Sequence, residues 1–281
     1  MTKINGIIMD WAGTAVDYGC MAPVHVFLEI FREIGIEPTM EEVRAPMGYL
    51  KWDHIKTMLD LPRIGEAFRA AHGRPHDDGD VDRLHDRFEP KLLSILHRFA
   101  DPLPAVRETM DRLRRGGYAI GATTGYNDAM MSIVAKVAEE NGYAPDYWLT
   151  PDAVGGKGRP LPYMIFVNMI HLNMGLPQEV VKIGDTASDM QEARNAGVWA
   201  VGVVRGSSML GLTEREADDM DPAELAARIA QAKQSFLESG AHAVIEVISE
   251  LPAVIEAIDR SLAKGGRPGG IESLHENGGG H

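Results

Sequence analysis

The chain has a single cysteine, Cys20, among its 281 residues. One thiol excludes a disulfide within the chain, and a reducing compartment is therefore expected. Long apolar runs are missing as well, since no window approaches the roughly 18 apolar residues that a membrane helix needs. The N-terminal residues also lack the apolar stretch and cleavage site of a secretion signal. These absences predict a cytoplasmic protein that does not bind a membrane.

Basic residues are in the minority: there are 28 Lys and Arg against 41 Asp and Glu, which gives a formal net charge of -13. This balance argues against nucleic acid or an anionic membrane surface as a partner. It leaves an anionic small molecule open as a substrate, because a pocket needs only local positive charge. The length allows one large domain or two smaller ones.

An apolar strand at 4–9 is followed by a long stretch, from Pro23 to Arg98, with helical periodicity and no strand signal. The helices predicted there are Val24–Ile34, Met40–Ala45, Lys51–Leu59, Ile64–Ala71 and Val81–Phe99. After Pro104, strands alternate with helices. The predicted strands are Tyr118–Ala122, Tyr147–Thr150, Val180–Ile183 and Trp199–Val204, and the helices are 104–115, Asp128–Asn141, 162–172 and 188–196. Such alternation predicts an α/β fold with a doubly wound parallel sheet.

The pattern divides the chain into three parts. Residues 1–20 and 100–264 form the predicted α/β core domain, and residues 21–99 form a helical domain inserted into it. The glycine-rich tail, 265–281, is predicted to be disordered. Asp10, Thr124 and Asp185 each follow a predicted strand. Because ligands of open parallel sheets bind beyond the carboxyl ends of the strands, these three residues predict a common site.

The segments at these strand ends resemble the haloacid dehalogenase superfamily, and within it the phosphonoacetaldehyde hydrolase (phosphonatase) family. The segments that carry the resemblance are Asp10-Trp11-Ala12-Gly13-Thr14, Met47-Gly48-Tyr49-Leu50-Lys51-Trp52-Asp53-His54, Thr123-Thr124-Gly125-Tyr126, Gly158-Arg159-Pro160 and Gly184-Asp185-Thr186-Ala187-Ser188-Asp189. Each motif is short, but their order, with each at a strand end, is specific for the superfamily. Ala12 and the Lys51 segment select the phosphonatases. The resemblance implies a Rossmann-like core with an inserted helical cap that closes before chemistry begins.

A metal site is predicted around Asp10, Asp185 and Asp189. Carboxylates placed side by side repel each other unless a cation neutralises them, and Mg²⁺ prefers oxygen ligands. The resemblance implies that Asp10 and Asp185 bind Mg²⁺ directly, with the Ala12 carbonyl as a third ligand and Asp189 acting through water. The alternatives are that Asp185 merely begins a turn and that Asp189 favours the first turn of a helix.

Phosphate binding is predicted at Thr124 and Gly125, whose hydroxyl and N–H groups precede a helix. The alternative for Thr124 is a simple N-cap. Arg159 is predicted to clamp the phosphate with its guanidinium fork, and Lys157 is its rival. The resemblance favours Arg159, because phosphonatases have arginine before proline where most of the superfamily has a lysine.

Lys51 and Ala12 together indicate the reaction. Related phosphate-transferring enzymes place a second aspartate two residues after the nucleophile, as general acid and base, and Ala12 stands there instead. Cleavage of a P–C bond leaves an electron pair on carbon, and a protonated imine between an aldehyde and a lysine accepts that pair. Such a lysine needs a lowered pKa. Met47 would dry the amine, and His54 would tune it or move a proton. Taken alone, Lys51 would be assigned as a solvated surface lysine.

The resemblance therefore implies Mg²⁺-dependent hydrolysis of phosphonoacetaldehyde to acetaldehyde and phosphate, with Asp10 as the nucleophile and Lys51 forming the imine. Tyr126 and Cys20 resemble residues that line the phosphonatase pocket, although both residue types more often serve packing. A homodimer is implied in the same way. Three alternatives stay open: a phosphatase or phosphomutase acting on a phosphate ester, a dehalogenase that attacks carbon, and a binding protein on the same scaffold.

Overall fold

The computed structural model describes residues 2–46 and 51–268, which belong to two compact units. One unit is drawn from Met1–Gly19 and Ala100–His281, and the other from Cys20–Phe99. Met47, a predicted site residue, and positions 269–281 of the predicted disordered tail lie outside the described residues.

A six-stranded sheet forms the centre of the first unit. Its strands are β1 (Gly6–Met9), β2 (Ala119–Thr123), β3 (Tyr147–Leu149), β4 (Val180–Gly184), β5 (Trp199–Val203) and β6 (Ala243–Ile245). They lie in the order β3-β2-β1-β4-β5-β6, and every neighbouring pair is parallel. All residues of β1, β4 and β5 are buried, as is usual when helices cover both faces of a parallel sheet. The predicted doubly wound α/β fold is confirmed.

The helices of the second unit are α1 (Met21–Arg32), α2 (Met40–Arg44), α3 (Lys51–Asp60), α4 (Pro62–His72) and α5 (Asp78–Ile95). Those of the first unit are α6 (Val106–Arg115), α7 (Asp128–Glu140), α8 (Tyr163–His171), α9 (Ala187–Ala196), α10 (Glu214–Asp219), α11 (Pro222–Glu238) and α12 (Leu251–Ala263). Strand β6 and helices α10–α12 have no counterpart among the predicted elements. None of the helices in the described part of the chain is long and apolar enough to cross a membrane.

The second unit buries the apolar faces of its helices against one another. Its core includes Phe27, Phe31, Ile55, Met58 and Phe88. Strand signals are absent from this stretch of sequence because its apolar residues recur every three or four positions, so that each helix presents one apolar side to the others.

The register of the sheet aligns the carboxyl ends of its central strands. Met9, the last residue of β1, pairs with Ala122 of β2 on one side and with Ile183 of β4 on the other. After β1 the chain adds β2 and β3 on one side of it, and later adds β4, β5 and β6 on the other side. The strand order therefore reverses at β1. A crevice at such a reversal is where doubly wound sheets bind ligands.

Candidate active site

Three buried carboxylates meet at the carboxyl ends of β1 and β4. Asp10 directly follows β1, Asp185 directly follows β4, and Asp189 lies in the first turn of α9. Each of the three residues is at most 2% exposed. One oxygen from each carboxyl lies within 4.8 Å of the others. The structure therefore brings together the three acids that the sequence assigned to the metal site.

For two of these acids, burial disfavours the ionised form of the carboxyl group. Burial raises the pKa of Asp185 well above its ordinary value, and the charges of Asp10 and Asp189 raise it further. The pKa of Asp10 is also raised by burial, although Arg159 opposes the shift. Ser208 donates to Asp185 Oδ2 from its backbone N–H, at 2.9 Å, and from its hydroxyl, at 2.8 Å. These two hydrogen bonds do not outweigh the loss of hydration.

Asp189 is the exception among the three. Its Oδ1 accepts from Lys182 Nζ at 2.9 Å and from Arg159, and its Oδ2 accepts from the backbone N–H and hydroxyl of Thr186. Burial pushes the pKa of Asp189 upward, but Arg159 and Lys182 outweigh burial and hold it at about 2. Asp189 is therefore ionised, with both oxygens engaged by the protein.

The cluster fits a divalent cation. Asp10 Oδ1 is buried and accepts no hydrogen bond from the described residues, although Arg159 Nη2 lies 3.0 Å away. Carboxylate oxygens are the ligands that Mg²⁺ prefers, and the ion commonly keeps several waters. Asp10 and Asp185 suit direct coordination, whereas the engaged oxygens of Asp189 suit contact through water. Ala12 follows β1 and is half-buried, and the role of its carbonyl as a ligand stays a prediction.

Of the two residues predicted to clamp the phosphate, Arg159 is the one that reaches the cluster. Its side chain is 12% exposed, with Nη2 3.0 Å from Asp10 Oδ1 and Nη1 bonded to Asp189 Oδ1. The ammonium of its rival Lys157 lies 5.8 Å from the ring of Tyr163, and Lys157 is exposed. A guanidinium held between two carboxylates presents fixed N–H groups, which is the geometry that a phosphate oxygen accepts.

Thr124 and Gly125 follow β2 at the same edge of the sheet. The Thr124 hydroxyl is buried and accepts from the Tyr126 N–H at 3.0 Å, so its own proton is available for donation. A Cβ at Gly125 would come within 3.3 Å of Arg159 Nη2, so this loop passes close to the guanidinium. The N-cap of α7 is Asn127, whose side chain accepts from the Met130 N–H at 3.0 Å. The alternative role of Thr124 as that helix cap is therefore wrong.

Lys51 belongs to the second unit, at the first described residue of α3. Its ammonium lies 5.5 Å from the ring centre of Phe88 and 6.0 Å from that of Phe27. The residue keeps an exposed surface, but loss of hydration around the amine lowers its pKa, and the charge of Cys20 opposes the shift only in part. The amine is thus more readily deprotonated than that of a surface lysine, which is what imine formation requires.

His54 lies one turn further along α3 and is buried. Its ring stacks on Phe27 with centroids 3.7 Å apart and planes 9° apart. Burial, followed by the charge of Lys51, lowers the pKa of His54 to about 4, so the imidazole is neutral at pH 7. A neutral ring does not repel a protonated amine or imine at Lys51. Cys20, half-buried, precedes α1 with a left-handed φ of 53°. Pocket-lining roles for Cys20 and Tyr126 stay predictions.

Several polar residues at the site were not predicted from the sequence. They are the buried residues Tyr143, Lys182 and Glu192 and the half-buried Ser208. Lys182 had a visible signal, since a charged residue stands in the apolar run Val180–Gly184 just before Asp185. The other three had none, because serine, tyrosine and glutamate at loop or helix positions are ordinary in any α/β protein.

The fold and its carboxylate cluster define a class of enzyme, and the chain belongs to the haloacid dehalogenase-like hydrolase family, whose model matches residues 4–197. It is 49% identical over 261 residues to phosphonoacetaldehyde hydrolase from Lysinibacillus sphaericus, covering 93% of this chain and 97% of that protein. It is also 49% identical over 258 residues to phosphonoacetaldehyde hydrolase from Bacillus cytotoxicus, covering 92% of this chain and 97% of the relative.

A solved structure agrees with these relatives. The crystal structure of a phosphonoacetaldehyde hydrolase-like protein from Oleispira antarctica superposes with a TM-score of 0.81 at 34% identity, covering 94% of this chain and 96% of that one. The protein is accordingly a hydrolase. The predicted membership of this superfamily, and the resemblance to phosphonoacetaldehyde hydrolases, are confirmed.

Proposed function

We propose that the protein hydrolyses the P–C bond of phosphonoacetaldehyde, giving acetaldehyde and phosphate. The Lys51 amine, placed near two aromatic rings and with a lowered pKa, is the observation that carries this proposal. A phosphate ester needs no such amine for its cleavage. The names of the relatives, together with Ala12 in place of a general acid, support the same reaction.

The first step belongs to Lys51. Its unprotonated amine attacks the aldehyde carbon to give a carbinolamine, and uptake of one proton from solvent with loss of water leaves a protonated imine. Loss of hydration around the amine favours an uncharged nitrogen before the attack. The imine then withdraws electrons from the carbon that is bonded to phosphorus.

The second step belongs to Asp10. Its carboxylate attacks phosphorus, the P–C bond breaks, and the bonding electrons pass to carbon to give an enamine on Lys51 with an aspartyl phosphate on Asp10. The enamine takes a proton on carbon, and water releases acetaldehyde and the free amine. A second water hydrolyses the aspartyl phosphate. The departing carbon needs no proton donor from residue 12, which agrees with the alanine found there.

The remaining groups hold the phosphoryl end of the substrate. Arg159, the Thr124 hydroxyl and the N–H groups beside Gly125 supply donors for its oxygens. Bound by Asp10 and Asp185, Mg²⁺ would neutralise buried negative charge and polarise a phosphoryl oxygen. With the cation bound, the anionic nucleophile can approach an anionic phosphonate.

Two other reactions are less well supported. A phosphatase or phosphomutase would leave the departing oxygen of an ester without a proton donor, because Ala12 replaces the acid. A dehalogenase that attacks carbon would have no use for the poorly compensated carboxylate pair of Asp10 and Asp185, which suits a metal and hence phosphorus chemistry. A binding protein would need neither nucleophile nor amine.

Borohydride trapping tests the proposal. The protein is incubated with phosphonoacetaldehyde and reduced, and the mass increase is located by peptide mass spectrometry, with activity measured in parallel. We expect an adduct on Lys51 and loss of activity. Lys51→Arg keeps the charge but cannot form an imine, and Lys56→Arg on the same helix is the matched control that should keep both adduct and activity. P–C cleavage by Lys51→Arg, or normal ester turnover without an adduct, would overturn the proposal in favour of a phosphatase.

We also propose a homodimer formed through α8. Large apolar side chains are exposed along one side of this helix: Tyr163 is 42% exposed, Phe166 37% and Ile170 80%. Residues three and four apart share a helix face, and an exposed apolar face of this kind suits a second copy of the chain.

Light scattering after size-exclusion chromatography should give twice the chain mass for the wild type and a monomer for Ile170→Glu. The control Ser132→Glu adds the same charge to an exposed position of α7 and should remain a dimer. A monomeric wild type contradicts the dimer.

A further inference from the structure

Lys182 is a charged side chain inside the central sheet. It lies in β4 between the buried residues Val181 and Ile183 and is fully buried. The Nζ atom is 2.9 Å from Thr123 Oγ1, 2.9 Å from Asp189 Oδ1 and 3.7 Å from Glu192 Oε2. Thr123 and Asp189 accept hydrogen bonds from the ammonium, and the Glu192 carboxylate adds an ion pair. A buried charge is costly unless it is paired in this way, so its presence here requires an explanation.

The explanation lies in the charge balance of the buried site. Four carboxylates are buried there, Asp10, Asp185, Asp189 and Glu192. The cations that pair with them are Lys182 and Arg159, the latter with a side chain 12% exposed. Four negative charges less two positive charges leave two negative charges, which one divalent cation would cancel. Lys182 pairs with Asp189 and Glu192, whereas Arg159 bridges Asp189 and Asp10.

We propose that Lys182 is a positioning residue that keeps Arg159 available for the phosphoryl group. The Lys182 ammonium pairs with Glu192 and shares Asp189 with Arg159. It therefore prevents these two carboxylates from drawing the guanidinium toward themselves and away from Asp10. Arg159 can then remain beside Asp10, where the phosphoryl group would be transferred under the proposed function. This inference rests on that function for the identity of the substrate, but not for the role of the charge.

The neighbours of Lys182 support this role. Thr123 accepts from Lys182 and donates to Glu192 Oε2 at 3.1 Å, so its hydroxyl holds the Glu192 carboxyl beside the Lys182 ammonium. Without Lys182, Arg159 would be the one remaining cationic partner for Asp189 and Glu192 among the described residues at the site. A guanidinium drawn to them would have fewer N–H groups to offer an anion.

The test exploits the opposite charges of the two ligands. Lys182→Met and Lys182→Gln are both made, since glutamine can still hydrogen-bond to Thr123 and Asp189 if the methionine variant does not fold. Binding of inorganic phosphate, at saturating Mg²⁺, and of Mg²⁺ alone is measured by titration calorimetry, with thermal melting to check the fold. We expect phosphate binding to weaken by about tenfold and Mg²⁺ binding to become tighter, because one buried positive charge is lost. A site that is merely loosened would bind both ligands more weakly, and that result overturns the proposal.

A charge-restoring variant completes the test. Glu192→Gln combined with Lys182→Gln brings the buried charge back to its original value, and phosphate affinity should return to within about twofold of wild type. Glu192→Gln alone should bind phosphate at least as well as wild type. A double variant no better than Lys182→Gln would show a packing role and overturn the inference. Wild-type protein that binds phosphate but does not cleave phosphonoacetaldehyde would refute the proposed function and leave this test valid.

Discussion

Two buried polar atoms near Asp10 have no hydrogen-bond partner within the described chain: Trp11 Nε1 and the Tyr143 hydroxyl. Their rings meet edge to face with centroids 5.3 Å apart. Burial raises the pKa of Tyr143, and the charge of Asp10 raises it further. The phenol therefore stays protonated at any ordinary pH. Such an unpaired hydroxyl has lost its hydration without a replacement, which is unfavourable for folding.

Removal of the Tyr143 hydroxyl should not destabilise the protein. For Tyr143→Phe we expect a free energy of unfolding that is unchanged or higher by up to about 1 kcal/mol, because the edge-to-face contact with Trp11 is kept and an unpaired polar group is lost. Urea denaturation measures this free energy of unfolding. Tyr118→Phe, at a half-buried position, is the control and should change stability by less than about 0.5 kcal/mol. A loss above about 1 kcal/mol would mean that the Tyr143 hydroxyl has a partner such as a bound water.

At the scale of elements, four helices of the described chain, α2, α5, α9 and α10, begin with a capping box. Asp77 caps α5 by accepting from the Asp80 N–H, and Asp80 accepts in return from the Asp77 N–H. Arg74 binds Asp80 through both terminal nitrogens, at 2.6 and 2.8 Å, and Arg83 binds it as well. Apolar periodicity predicted that this helix starts at Val81, because the apolar repeat begins there, and the polar first turn at Asp78–Asp80 was missed.

Asp80→Asn should destabilise the protein in a pH-dependent way. Hydrogen bonds from Arg74, then from the Asp77 backbone and Arg83, outweigh burial and lower the pKa of Asp80 below its ordinary value of 3.8. A lowered carboxyl pKa adds stability that is complete above the unfolded value and is lost as the pH falls through the folded one. We expect a loss of about 1 kcal/mol at pH 7, because both arginines are largely exposed and contribute little beyond the cap.

Urea denaturation at pH 7 and at pH 3 checks this expectation, and the gap between Asp80→Asn and wild type should be smaller at pH 3. Asp86→Asn, on an exposed position of α5, is the matched control and should lie within about 0.5 kcal/mol of wild type at both values. A gap that stays constant with pH would show that the Asp80 charge adds nothing beyond its hydrogen bonds.

At the scale of the whole molecule, the acidic surplus extends into the buried site. The chain carries a formal net charge of -13, and Asp10 and Asp185 both have a raised pKa. Native protein with this cluster should bind divalent cations that the unfolded chain, whose carboxylates are scattered, does not hold. Ligands that bind only the native state raise its apparent stability.

Mg²⁺ should therefore raise the melting temperature. At 100 times its dissociation constant, the ion adds about 2.7 kcal/mol of stability, which corresponds to several degrees for a protein of this size. Asp185→Asn should abolish most of the shift while raising the melting temperature of the metal-free protein, because an amide removes a buried, poorly compensated charge. Differential scanning calorimetry with and without chelator measures both. An equal Mg²⁺ shift in the two proteins would contradict a site at Asp185.

Periodicity predicted most of the elements because each repeats its apolar residues at a regular spacing. The helices and the strand after residue 204 were missed. There, α11 has only three buried residues and β6 spans only Ala243–Ile245, so neither leaves a strong pattern. Their assignment depends on the neighbours that they pack against, and those neighbours are distant in the chain.

The sequence by itself determined that carboxylates follow the strands of a parallel sheet, because apolar runs ending in Asp10 and Asp185 leave few other positions for these acids. Only the tertiary structure decided which acids are compensated. Asp189 is paired with Lys182 from the preceding strand and with Arg159 from a distant loop, whereas Asp10 pairs with Arg159 and the pKa values of Asp10 and Asp185 stay raised by burial. Ionic pairing depends on distance in space and on burial, and neither can be obtained from the spacing of residues along the chain.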